Sequence, residues 1–207
     1  MQTALKPRLT AREYLLQERK AEVKSEFLDG EVFAMSGGTW RHSRIGARLI
    51  TALENRLAGK SCEVFTSDMR LKVEATELYA YPDVQVACGD LRFEDEHGDV
   101  LLNPKIIVEV LSESTAAWDR GDKFWHYRHL ESLAEYLLVS QEVWRIEHYV
   151  RQPDGTWRLE TVEGEGGVLS LPAIKCKIPL TEIYSKTGLA PNPEPTRTKP
   201  ERKPKKL

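Results

Sequence analysis

Apolar and polar positions alternate along this chain with periods that change from segment to segment. Thr10 has capping-box spacing to Glu13, followed by Tyr14, Leu15 and Leu16. That pattern predicts a first helix running on towards Phe27, with a break near Lys20. FLDGEVFAM then places two short apolar runs around Asp29-Gly30, a strong hairpin signal, and puts Glu26 at the helix-to-strand junction. After the turn SGG (36–38), Ile45, Leu49, Leu53 and Leu57 recur every four residues. This predicts an amphipathic helix that ends at Gly59, with Arg41, His42, Arg44 and Arg48 in its first turns.

Strand patterns follow in CEVFTS, MRLKVEA and YPDVQVA, and GDLRFEDEHGDVLLN reads as an acidic, mobile loop. PKIIVEVLS is an almost unbroken apolar run, the mark of a central strand covered on both faces. DRGDKFWHYRHLES has helical spacing. AEYLLVS and VWRIEHYVR read as strands, GTWRLETVEGEGGVLSL as another hairpin and LTEIYSKTG as a short closing helix. The order of elements predicts an α/β or α+β fold, a mixed central sheet flanked by helices. Residues 1–190 form one domain in this reading. From Pro191 to Leu207 the chain is a basic Pro/Lys-rich tail, expected to be disordered.

Two strands each carry one carboxylate among apolar neighbours: Asp83 after Pro82, and Glu109 between Val108 and Val110. A carboxylate in such company is costly unless it is paired, hydrogen-bonded or bound to a metal. Lys123 follows on the next helical segment. Hydrolysis of a phosphodiester needs an activated water and relief of charge on the phosphate oxygens. Mg²⁺ (or Mn²⁺), held by one or two carboxylates and keeping several waters, supplies both. Asp83 and Glu109 are therefore the expected metal ligands.

The segments EFLDGEVFAMSGGTWRHSRI, EVFTSDMRLKV, YPDVQV, PKIIVEVLSEST, DRGDKFWHY and AEYLLVSQEVWRIEHY resemble a bacterial restriction-endonuclease family within the PD-(D/E)XK nuclease superfamily. The similarity covers roughly residues 10–185. It implies a restriction-endonuclease-like core, a Mg²⁺ site from Asp83 and Glu109, and DNA as partner. It also implies an acidic residue on the first helix, which falls on Glu26 or else on Glu22. The superfamily lysine belongs two residues after the Glu, where this chain has Leu111. The resemblance then passes that role to Lys123. Related folds often act as homodimers, because two cuts in a duplex need two sites. The alternative reading is a nuclease-fold module that binds nucleic acid or protein without turnover; hydrolysis of another phosphate ester is a third.

Charge and composition narrow the picture. The 207 residues are 41% hydrophobic and 30% charged, with a net charge of −2. Residues 191–207 carry six Lys/Arg against two Glu, so the remainder is near −6 and has no overall basic footprint for nucleic acid. No apolar run is long enough to span a membrane, and MQTALKPRLT lacks a signal-peptide core, so cytoplasm is the expected compartment. Cys62, Cys88 and Cys176 are odd in number and lack CxxC spacing, which predicts free buried thiols and neither a disulfide nor a zinc site. His42 has an open role, in capping, packing or phosphate contact. Asp68 reads as a turn-former.

Overall fold

The structure, a computed structural model, describes residues 8–191. Its elements follow the sequence periods closely, and their ends follow local chemistry. Helix α1 (Ala11–Glu18) begins at Thr10, whose side chain accepts from the Glu13 N–H while Glu13 reaches back to the Thr10 N–H. The helix stops at Glu18, well short of Phe27. Glu18 turns inward and accepts from both the N–H and the hydroxyl of Ser25, which starts the next strand. Strands β1 (Ser25–Leu28) and β2 (Glu31–Ala34) form the expected hairpin. Asp29 and Gly30 both take positive φ, 47° and 84°, as a two-residue turn of this hand requires. Glu26 thus lies within β1, not on the first helix, and Glu22 is exposed away from the cleft described below.

Helix α2 (Trp40–Leu57) buries Ile45, Leu49, Leu53 and Leu57 as their spacing predicts. The chain continues through β3 (Cys62–Thr66), β4 (Arg70–Val73), β5 (Leu78–Ala80), β6 (Val84–Cys88), β7 (Val100–Leu101) and β8 (Ile106–Leu111). A helical segment follows: α3 (Ala116–Trp118), a π-turn over Asp119–Lys123, and α4 (Phe124–Tyr127). The remaining elements are β9 (Glu135–Ser140), β10 (Arg145–Arg151), β11 (Trp157–Glu163), β12 (Val168–Leu171), β13 (Cys176–Pro179) and α5 (Leu180–Ile183).

The expected mixed sheet flanked by helices is present in the six-stranded sheet, and the remaining strands form a second main sheet and a small ribbon. One main sheet has the order β2-β1-β5-β4-β7, the other β11-β10-β9-β8-β6-β3, and β12 pairs only with β13. The hairpin expected over residues 155–171 therefore does not form. β11 instead pairs with β10. Strand β8 lies inside the six-stranded sheet, antiparallel to β6 and parallel to β9, and all six of its residues are buried. Its even positions, Ile106, Val108 and Val110, pack in one core with α2 and α5. Ile107 and Leu111 pack on the opposite face with Tyr127, Tyr136 and Leu138. Glu109 shares that second face.

Two further expectations are corrected. Cys62 and Cys88 sit directly opposite one another on β3 and β6 and are joined as a disulfide; only Cys176 is a free buried thiol among the described residues. Strand pairing supplied the partner that spacing along the chain could not show. The acidic loop after β6 is also less free than its composition suggests. Arg19 donates to Asp95 and to both oxygens of Asp99, and β7 pairs with β4. No helix among the described residues is long and apolar enough to cross a membrane. Residues 192–207, nearly all of the basic tail, lie outside those described.

Candidate active site

Asp83 immediately precedes β6, and Glu109 lies near the end of β8. The register pairs Val84 with Val108, so the next pair outward is Asp83 and Glu109, side by side on one face. Both line a single cleft of about 800 Å³, together with Glu26, Asp119 and Lys123. Four elements distant in sequence thus meet at one point: β1, the start of β6, the end of β8 and the π-turn.

The centre of the cluster is the Lys123 ammonium. Its Nζ lies 3.0 Å from Glu109 Oε1, 3.1 Å from Glu26 Oε1 and 3.6 Å from Asp119 Oδ1. Glu109 Oε1 also accepts from the Tyr127 hydroxyl at 2.9 Å. Asp83 Oδ2 accepts from the Val110 N–H at 2.7 Å and lies 3.2 Å from His42 Nε2. The two acids are therefore partnered by a lysine, a tyrosine, a backbone amide and a histidine. Their burial alone does not require a metal.

Four carboxylates line the cleft with one lysine, and three of them lie within 3.6 Å of its ammonium. Burial pushes the Glu109 carboxyl up to about 8; Lys123 pulls the other way, while Asp119, Asp83 and Glu26 add to the rise. Burial also raises Asp119, against the pull of Lys123. Burial works against the Lys123 charge, yet the surrounding carboxylates outweigh it and hold the ammonium protonated well above its ordinary range. The hydrogen bond to Asp83 raises His42, against the cost of burying it.

This excess of negative charge suits a divalent cation. No protein hydrogen bond reaches Asp83 Oδ1 or Glu109 Oε2 among the described residues, which leaves one hard oxygen free on each of these two cleft-lining residues. Among those residues no three His, Cys, Asp or Glu side chains converge to hold an ion by themselves. The donor set fits Mg²⁺, which takes one or two carboxylates and keeps much of its water.

All four residues expected at the site from the sequence come together, with Glu26 on a strand in place of a helix. Asp119 and His42 are additions. Asp119 stands four residues before Lys123, a spacing that an ordinary solvated helix shows as well, so the sequence carried no distinct signal for it. His42 was visible as an arginine-flanked histidine, but nothing along the chain joins it to Asp83. Asp68 stays apart as a turn residue, its exposed carboxylate paired with Lys24.

The two sheets with their flanking helices, and a carboxylate–lysine cluster at the strand ends, define the restriction-endonuclease-like class of nuclease folds. Comparison with a solved structure agrees on the fold. A protein from Anabaena variabilis, described as a "putative nuclease belonging to DUF820", superposes with a TM-score of 0.70 at 16% identity, over 86% of this chain and 98% of that one. Two Synechocystis proteins described as uncharacterized, sll1609 and slr1290, are closer in sequence. The first is 39% identical over 81% of this chain and 94% of its own length; the second is 42% identical over 89% and 94%. Residues 11–181 match the profile of the Uma2 family, described as "Putative restriction endonuclease", and the chain belongs to that family.

Proposed function

We propose that the protein is a Mg²⁺-dependent endonuclease that hydrolyses phosphodiester bonds in DNA. One observation carries the reading: Asp83, just before β6, and Glu109, on the adjacent strand β8, line the same cleft with the Lys123 ammonium 3.0 Å from Glu109. Asp83 and Glu109 would hold the metal. When bound, the ion would lower the pKa of a coordinated water and offset charge on the phosphate. Lys123 brings a fixed positive charge to where the phosphate negative charge grows. Glu26 and Asp119 hold that ammonium in place, at 3.1 and 3.6 Å. His42 and the Val110 N–H hold Asp83 Oδ2 and leave Oδ1 without a protein partner among the described residues.

The test is incubation of supercoiled plasmid and of single-stranded circular DNA with the full chain in Mg²⁺. Cleavage that disappears with chelator and in Glu109→Gln protein is the expected result. Cleavage that persists in Glu109→Gln would contradict the assignment. Metal binding without any cleavage would move the protein to the binding-module reading. A homodimer belongs to the proposal, since two sites let one particle cut twice. A monomer mass by light scattering at micromolar concentration would remove that part.

A further inference from the structure

The cleft contains more than a metal site requires. In the β1–β2 hairpin Phe33 is the cross-strand partner of Glu26, so the two side chains share a face. Glu26 reaches Lys123, and Phe33 stands beside it on the cleft wall, 49% exposed. Every residue of β2 is exposed, so this ring is not serving the core. Trp118 lines the cleft as well, on the segment after β8, near the linked hydroxyls of Ser112 and Thr115. Gln141, only 5% exposed, also lines the cleft. Its Oε1 accepts from the Thr39 hydroxyl, while no acceptor is found for its Nε2 among the described residues.

An open aromatic face, a buried amide with free N–H groups and a carboxylate pair within one cleft match the needs of an unstacked nucleotide. Aromatic faces bind exposed bases regardless of sequence, and bases inside a duplex cannot reach them.

We propose that the cleft takes single-stranded DNA, with one base lying on Phe33 and Gln141 donating to an acceptor of that nucleotide. The adjoining phosphodiester then falls at Asp83 and Glu109. The inference rests on the nuclease reading and names its substrate class.

Fluorescence anisotropy tests it, using full-length wild-type protein with Ca²⁺, a larger and more loosely coordinated ion, in place of Mg²⁺ to suppress cleavage, and a short labelled oligodeoxynucleotide as single strand or duplex. The single strand should bind more tightly. Phe33→Ala, a change at a half-exposed position, should weaken single-strand binding about tenfold or more, the loss expected for one stacked base. Phe33→Trp should restore it, and duplex binding should not move. Unchanged single-strand affinity in Phe33→Ala, duplex binding as tight as single-strand binding, or no binding of either form would each overturn the inference. The nuclease reading fails separately, if wild-type protein cleaves neither plasmid nor single-stranded circles in Mg²⁺.

Discussion

Glu109 illustrates how position sets chemistry at the scale of a single residue. Its carboxyl is pushed up from 4.5 to about 8 by burial, despite the adjacent Lys123. In metal-free protein the folded state therefore keeps a proton that the unfolded chain has released. Stability falls as pH rises through that window and levels off above about 8. Melting curves in chelator should show wild-type Tm losing ground to Glu109→Gln between those pH values; parallel curves would contradict the buried-acid account. Lys123 gives the complementary prediction. Lys123→Ala leaves Glu109, Glu26 and Asp119 facing one another without a cation and should cost about 3–5 kcal/mol. Added Mg²⁺ should recover more Tm in this variant than in wild type; equal gains would argue that the ion binds elsewhere. Asp83 and Glu109 were legible in the sequence because a carboxylate in an apolar strand is conspicuous. Asp119 was not, since an acid one turn from a lysine looks the same on a solvated helix as in a buried cluster.

Elements with strong periodicity were read well. Helix α2 and strand β8 occupy the places that their apolar spacing demanded. The misreadings fell where tertiary partners decide. Helix α1 stops because Glu18 is drawn into hydrogen bonds with Ser25, a contact that no helix propensity reports. β12 joins β13 through a tight turn at Pro172–Ile174 with Lys175 left-handed, a local hairpin one step further along the chain than the one expected. The Cys62–Cys88 bridge depends on β3 lying against β6 in the observed register. It closes a loop with a sequence separation of 26, and a bridge of that span stabilises by about 2–4 kcal/mol. Dithiothreitol, or the double change Cys62→Ser and Cys88→Ser, should lower Tm by a corresponding amount. A melt indifferent to reductant would show that the bridge is not formed in solution.

For the whole molecule, the candidate site depends on two sheets meeting. The five-stranded sheet brings Glu26 and Phe33. The six-stranded sheet brings Asp83 and Glu109, and the helical segment between β8 and β9 brings Asp119 and Lys123. The split into two sheets could not be read along the chain, since strand order comes from pairings between distant segments. The presence of a carboxylate–lysine site could be read, because its residues are chemically unusual where they stand. The central claim is that Asp83 and Glu109 hold one divalent ion between them. Titration calorimetry with Mg²⁺ or Mn²⁺ tests it most directly, on wild-type, Asp83→Asn and Glu109→Gln proteins of matched fold. One site in wild type, lost or greatly weakened in each variant, is the predicted result. Undiminished binding in either variant, or no binding in wild type, would contradict it.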